Sequence, residues 1–250
     1  MSKLQTRFCG DEQDIRAFFE ETAVEYQEMH GNPDKLLQYR MNLVISHADL
    51  NRSSILLDLG CGNGHHLFYL SNQIKQGIGI DFSETMIQKA LELKTRLKEV
   101  GHLEFRVDRA QELGSVPDKS VDVVMCVGSF EHMLKKPLVV SQVYRILKHN
   151  GCFILLTPNG SYLWYRWFAP LLGMDTRHLS TDQFLNKTEL KRMLEDENFI
   201  IRFAGNWTFI PRGDMRNWQA AFLKILDWKG RLFRLGFLRG GIIIRADKMG

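Results

Sequence analysis

The stretch Leu56-Leu57-Asp58-Leu59-Gly60-Cys61-Gly62-Asn63-Gly64 decides how the rest of this chain is read. An apolar run passes into three alternating glycines, the pattern of a buried strand that ends in a tight turn and opens a helix at about His65. Glycine is needed there because the backbone must turn sharply and let a ligand touch the main chain, with helix N–H groups facing it. The spacing is GxGxG rather than the dinucleotide GxGxxG, Asp58 precedes it within the strand, and a second apolar run ends in Asp81 about 20 residues on. An acid at that point accepts hydrogen bonds from ribose hydroxyls.

Outward from this loop, short apolar runs at 55–59, 77–80, 103–107, 121–127 and 153–157 alternate with helical periodicity at 84–97 and 138–147, and Pro137 suits a first helical turn. Strands apolar on both faces and separated by helices predict a parallel sheet covered on both sides. Before the loop, Ile15, Phe18, Phe19, Ala23 and Tyr26 recur at helical spacing. After the breaker Gly31-Asn32-Pro33, so do Leu36, Leu37, Arg40, Leu43, Val44 and His47, which predicts a two-helix cap within residues 1–50. Beyond Pro158 the alternation gives way to an aromatic stretch (Tyr162, Trp164, Tyr165, Trp167, Phe168) and a polar loop from Asp175 to Asp182. A helix follows, expected to be capped by Thr188, and then two final strands at 200–204 and 241–246.

The chain has 250 residues, 44% of them apolar and 25% charged, which excludes disorder, collagen and coiled coil. No run reaches about 18 apolar residues and residues 1–14 lack the apolar core of a secretory signal, so a cytoplasmic protein is expected. Cys9, Cys61, Cys126 and Cys152 form no CxxC pair, and neither a disulfide framework nor a zinc site is expected. The net charge of +4 is uneven: between Arg212 and Arg245 eight basic residues face two acidic ones, and the remainder sums to −2.

The ordered set of motifs resembles the class I S-adenosylmethionine-dependent methyltransferases from about Arg40 to Asn159. The matching pieces are Asp58 to Gly64, Gly79-Ile80-Asp81-Phe82-Ser83 with Met86, Val121-Asp122-Val123-Val124, Glu131-His132, and Leu147-Lys148-His149-Asn150-Gly151 before Thr157-Pro158-Asn159. Within the class, the arrangement is most similar to the small-molecule branch that includes the polyprenyl quinone-pathway O-methyltransferases. The resemblance implies a Rossmann-like α/β fold with a seven-stranded, mostly parallel sheet, helices on both faces, an N-terminal helical cap and an insertion after strand 5 over residues 159–198. It implies S-adenosyl-L-methionine as cofactor, S-adenosyl-L-homocysteine as product and a single methyltransferase domain over 1–250.

Carried over residue by residue, the resemblance sets Gly60, Cys61, Gly62 and Gly64 against the methionine part of the cofactor, with Asp58 orienting the loop and the ammonium group. It sets Asp81 on the ribose diol and Phe82 and Met86 beside the adenine, and Val127 offers a carbonyl. Arg40 stands where the quinone-pathway enzymes keep an arginine for the cofactor carboxylate, and a guanidinium forks well onto that group; a solvated helix arginine is the alternative. Two departures matter. The family's adenine-contacting acid, counted back from Leu113, falls on Arg109, with Asp108 one position earlier and Ala110 nearby; either Asp108 keeps the role or the adenine amine is met differently. Where the quinone-pathway enzymes tend to have an extra Glu for a divalent cation, this chain has Gly128, and Glu131 with His132 are too few ligands, so no metal is expected.

Methyl transfer is an in-line displacement in which positioning supplies about 7–11 kcal/mol. A hydroxyl nucleophile also needs a base, which contributes about 10²- to 10⁴-fold. His132, after the fourth strand at the carboxyl edge of the sheet, is the first candidate, and the alternative is that Glu131 and His132 cap the next helix. His178, in the polar loop, is the second. His65 and His66 are expected to shield the cofactor.

The aromatic stretch reads either as an acceptor pocket or as packing of the insertion on its own domain. Trp218, Ala221, Phe222, Ile225 and Trp228 recur at helical spacing among Lys224, Lys229, Arg231 and Arg234, so the basic aromatic segment at 212–239 reads as a membrane-surface helix, a lid over a lipophilic substrate, or an ordinary core-facing helix. The expected function is methyl transfer to a small aromatic or lipophilic acceptor, at oxygen first. The rivals are non-methylating chemistry such as cyclisation, a non-catalytic cofactor-binding partner subunit, and nucleic-acid methylation. The last is disfavoured because no Asp/Asn-Pro-Pro-aromatic signature is present.

Overall fold

The computed structural model describes residues 6–22, 33–171, 177–207 and 217–249, and side chains from 34 to 171 and from 221 onward in the second and fourth of these stretches. Ala23 and Tyr26 of the expected first helix, Gly31 and Asn32, Asp175, Arg212, Asp214, Arg216 and the side chain of Trp218 lie outside the described residues.

Seven strands form one sheet in the order β3-β2-β1-β4-β5-β7-β6. They are β1 (Ile55–Leu59), β2 (Gln76–Asp81), β3 (Leu103–Val107), β4 (Val121–Val127), β5 (Leu147–Pro158), β6 (Phe199–Trp207) and β7 (Gly241–Lys248). The pairs β1–β2, β1–β4, β2–β3 and β4–β5 are parallel, and β7 runs antiparallel to both β5 and β6. Strand order reverses between β1 and β4, the switch point outside whose carboxyl ends open α/β sheets bind ligands.

Successive strand residues point to opposite faces, and both faces are covered. Leu57, Leu59, Val124, Cys126, Phe153 and Leu155 pack with α5 (Lys136–Ile146) and α7 (Lys187–Asp196). Leu56, Met125, Ile154 and Leu156 pack with α2 (Pro33–Ala48), α3 (His65–Leu70) and α4 (Glu84–Arg96). Each such fully buried aliphatic side chain contributes about 1.5–3 kcal/mol. The alternation also sets Asp58, fully buried, on the face of α3.

α1 (Glu12–Thr22) buries Ile15, Phe18 and Phe19 against Met86 and Leu179. The insertion after β5 holds a π-turn at Trp164–Phe168, the short α6 (Ala169–Leu171), and α7. Thr188, expected to cap α7, lies inside its first turn. The cap is Asn186, whose side chain accepts from Thr188 N (2.9 Å) and Glu189 N (3.0 Å), while Glu189 Oε2 accepts from Asn186 N (2.7 Å). A side-chain amide oxygen in the β-region residue before the turn meets two orphan N–H groups at once, and the Glu at the third position closes the capping box. β5 begins six residues earlier than the apolar run at 153–157 suggests, because Leu147 pairs with Val121 before a register shift.

Candidate active site

At the switch point the glycine loop closes over the carboxyl ends of β1 and β2. Gly60 N and Cys61 N both donate to Ile80 O (2.8 and 3.0 Å), and Gly64 N donates to Cys61 O (3.0 Å). Gly60 has φ +76°, and a Cβ there would lie 2.5 Å from Ser129 Cβ, so no side chain fits. Gly62, at φ +52°, faces the opposite situation. Among the described residues, a Cβ there would touch only Met86 Sδ at 4.0 Å and would project into open space.

That space is a cleft of about 380 Å³, within the usual range for small-molecule sites. Of the residues singled out from sequence, Arg40, Gly60, Cys61, Gly62, Asp81, Phe82, Met86, Asp108, Ala110, Val127 and His132 line it, as do His65 and His66. Asp58 lies behind the loop, where Oδ2 meets His66 Nδ1 at 3.1 Å and the buried Oδ1 has no hydrogen-bond partner among the described residues. Gly64 also lies behind the loop, packed against Phe105 and Phe68.

Asp81 is held at both oxygens: Oδ2 accepts from Gly62 N (2.9 Å) and Oδ1 from Ser83 N (3.0 Å). Burial pushes its carboxyl up to about 6, against the pull of those two N–H groups. Asp108 accepts from Arg109 N (2.7 Å) and Ser115 N (2.8 Å) and faces the cleft with Ala110. Arg109 does not line the cleft. Its Nε donates to Glu12 Oε1 (3.0 Å), and Gln111 Nε2 meets the same carboxylate (2.9 and 3.0 Å), which fastens α1 across the cleft. Arg40 rests 5.7 Å over the Trp207 ring, and a Cβ at Gly128 would come within 3.3 Å of its Nη1. The glycine at the position of the expected family Glu thus makes room for this guanidinium.

His132 and Glu131 sit in a single turn, Phe130–His132, ahead of α5. The N-cap of α5 is Lys135, so neither residue caps it. Glu131 is buried and turned away from the cleft, its Oε2 accepting from Thr157 Oγ1 at 3.3 Å. His132, 8% exposed, sits with Nδ1 2.6 Å from Asp182 Oδ1, and Asp182 Oδ2 accepts from His178 N and Leu179 N at 3.0 Å each. Burial pulls His132 down, but the Asp182 hydrogen bond and the charges of Glu131 and Asp182 outweigh it and the net shift is upward. For Asp182 burial pushes upward, and the His132 contact reverses it to a net lowering. A carboxylate at Nδ1 fixes the tautomer that leaves the Nε2 lone pair available to accept a proton.

His178 does not line the cleft; its ring lies 6.2 Å from that of His132, edge-on to it. Tyr162 and Trp164 are buried in a separate cluster with Ala169 and Leu223, and none of the five aromatics of that stretch lines the cleft. Sequence reasoning missed Asp182, which stands fifty residues from His132 in a polar loop with no spacing signal. It also missed Glu12, Ile15 and Phe19 of α1 as cleft walls, although their helical periodicity marked an apolar face in need of cover.

A mostly parallel sheet with its cleft at the β1/β4 switch point, a GxGxG loop and a buried acid closing β2 define a Rossmann-like domain of the class I, S-adenosylmethionine-binding kind. A methyltransferase-domain profile matches residues 50–230, and the chain belongs to that family of methyltransferases. It is 26% identical over 193 residues to an uncharacterised methyltransferase of Schizosaccharomyces pombe, covering 72% of each chain. It is 29% identical over 140 residues to the ubiquinone biosynthesis O-methyltransferase of Neisseria meningitidis, covering 54% of this chain and 55% of that one. The chain thus spans about half the length of several curated relatives it matches. In fold it superposes on the cyclase SpnF with a TM-score of 0.70 at 15% identity, over 98% of this chain and 99% of that one.

S-adenosyl-L-methionine is the cofactor of this family, and the cleft suits it. Gly62 leaves open the space a side chain would fill, and Asp81 presents a buried acid at the carboxyl end of β2 beside it.

Proposed function

We propose that this chain transfers a methyl group from S-adenosyl-L-methionine to an oxygen of a small aromatic or lipophilic acceptor, with His132 taking the acceptor's proton. The observation that carries this reading is the His132–Asp182 contact at 2.6 Å in the wall of a cleft built around the glycine loop. The bound cofactor supplies an electrophilic methyl group. Arg40 holds its carboxylate, Gly60, Cys61 and Gly62 face the methionine part on a loop that Asp58 and Gly64 support from behind, and Asp81 holds the ribose hydroxyls. Phe82, Met86, Asp108 and Ala110 enclose the adenine, and the Val127 carbonyl closes the cleft floor. Asp182 acts through His132 as a positioning residue, and α1 shields the cleft from water through Ile15 and Phe19.

Residues 1–50 serve in this reading as the cap and residues 159–198 as the support of the base, within one methyltransferase domain. The similarity to a ubiquinone-pathway O-methyltransferase supports oxygen as the acceptor atom. The test is release of S-adenosyl-L-homocysteine with catechols and prenyl-substituted phenols. Release that depends on acceptor and on His132 supports the proposal. Acceptor conversion with no S-adenosyl-L-homocysteine formed would establish non-methylating chemistry in its place.

A further inference from the structure

α8 (Asn217–Leu232) carries its large apolar residues on the side away from the domain. Leu223 and Gly230 are buried, and Asp227, 5% exposed, pairs with Arg239 at 3.3 Å; together they form the face that meets the protein. Opposite them, Phe222, Ile225, Trp228 and Leu232 are 36, 54, 53 and 58% exposed. At helical pitch Ile225, Trp228 and Leu232 fall on one stripe, with Phe222 at its edge. Phe168 extends the stripe, its ring edge-on to that of Phe222 at 5.8 Å, and its neighbours Trp167 and Leu171 are 57% and 78% exposed. The core-facing reading of this helix therefore places the wrong residues inside.

Among the described residues of these segments, the exposed charge around the stripe is of one sign. Lys224 and Arg231 lie along one flank, Lys229 along the other, with Arg234 and Arg166 at its ends, all of them exposed. Across 161–171 and 217–239 the one acid in the sequence is Asp227, which is buried against Arg239. An apolar stripe between two cationic flanks fits a helix lying in the plane of an anionic bilayer, where apolar burial and attraction to anionic headgroups act together. A second copy of the same face would bring these cations against one another, which opposes self-association.

The patch also sits on the edge of the sheet that carries the cleft. Trp207, ending β6, and Pro158, ending β5, both pair with Gly241, so the segment between β6 and β7 leaves and re-enters at the carboxyl end of β5. Asn159 Nδ2 fastens its far end by donating to Gly236 O (2.9 Å) and Arg239 O (2.8 Å).

We infer that the outer face of α8, together with Trp167, Phe168 and Leu171, docks this protein on an anionic lipid bilayer, with the cleft-bearing edge of the sheet on the membrane side. The docking stands on the exposed stripe and its charge; that it serves delivery of a lipophilic acceptor rests on the methyl-transfer reading.

The experiment is sedimentation of the full chain with phosphatidylcholine vesicles and with mixed phosphatidylcholine and phosphatidylglycerol vesicles, alongside calorimetric titration with S-adenosyl-L-methionine. The expected result is binding to the mixed vesicles that is about tenfold or more weaker on phosphatidylcholine alone and falls with added salt. The pair Ile225→Ser with Trp228→Ser and the pair Lys224→Glu with Lys229→Glu each lower it by about tenfold or more and leave cofactor binding unchanged. If the first pair fails to fold, the charge-reversal pair, confined to exposed side chains, carries the test. Absence of binding to mixed vesicles, binding indifferent to the charge reversal, or a concentration-dependent dimer lost in Trp228→Ser without vesicle binding would each overturn the docking. Vesicle binding without cofactor binding would overturn the methyl-transfer reading and leave the docking intact.

Discussion

Asp182 Oδ1 lies 2.6 Å from His132 Nδ1, joining the loop after α6 to the turn after β4 across fifty residues of chain. Two backbone N–H groups, from His178 and Leu179, hold the other carboxylate oxygen, so Asp182 is fixed before it meets the imidazole. The N-terminal segment braces the same loop, with Arg7 N donating to His178 O and Cys9 N to Ser180 Oγ. A buried His–carboxylate pair built this way sets the tautomer of the histidine and stabilises its protonated form.

Asp182→Asn removes the carboxylate while keeping the side-chain shape. Turnover is expected to fall by about 10²-fold, within the range of general-base contributions, with little change in cofactor affinity. His132→Ala is expected to lower turnover at least as far. It also costs about 3–5 kcal/mol of stability, because it leaves Asp182 buried without its partner. Steady-state kinetics and thermal melts of the two variants check both parts.

The pair also sets the pH response. His132 is raised above its ordinary value, so it adds stability that is fully present below about 6.5 and is lost as pH rises through its folded value. As a base it works only when neutral, and turnover is expected to climb through that same interval above pH 6.5. In Asp182→Asn the hydrogen bond and charge of Asp182 no longer oppose burial, leaving only the charge of Glu131 to raise His132, and the acid limb of the rate profile moves to lower pH. A profile that stays in place would contradict the assignment.

Asp81 predicts a second pH dependence, in binding. Its folded value near 6 exceeds the ordinary 3.8, so the free protein loses stability as pH rises from about 3.8 through 6. In the proposed binding mode the ribose hydroxyls need the ionised carboxylate as acceptor. Affinity for S-adenosyl-L-methionine is therefore expected to weaken by about tenfold per pH unit below 6. Calorimetry across pH checks the slope, and Asp81→Asn is expected to bind weakly and without it.

The glycines separate folding from binding. Gly60→Ala places a Cβ 2.5 Å from Ser129 at positive φ, and lowered thermal stability is the expected result. Gly62→Val, whose side chain has open space before it, is expected to fold with a cost of about 1–2 kcal/mol for the left-handed backbone and to lose cofactor affinity by about 100-fold or more. Comparison of melting temperature with titration isotherm distinguishes the two.

Gly128→Glu probes the departure from the quinone-pathway pattern. The new side chain meets Arg40 within 3.3 Å of Nη1 at its first carbon, and its carboxylate competes for the guanidinium. A fall of about tenfold or more in cofactor affinity is expected, since the charge-assisted contact proposed for Arg40 is withdrawn.

The sheet and the cofactor cleft were legible in the sequence because local pattern dictates them. Strands buried on both faces read as continuous apolar runs, and the loop of Gly60 and Gly62 has positive φ that glycine meets without strain. What stayed out of reach depends on distant contacts. Asp182 earns no local signal, since its role exists only once the loop after α6 folds back on His132. α8 misled for a related reason: helical spacing shows that an apolar face exists but not which way it points, and here Leu223 and Asp227 turn inward while Ile225 and Trp228 face out. The choice between Asp108 and Arg109 likewise turned on the tertiary pairing of Arg109 with Glu12.

The most direct measurement compares wild type with His132→Gln at saturating S-adenosyl-L-methionine, following S-adenosyl-L-homocysteine in a single turnover with a catechol acceptor, after calorimetry has matched the cofactor affinities. Equal binding with turnover slowed by about 10²-fold or more is the predicted result. Equal binding with unchanged turnover would contradict His132 as the base.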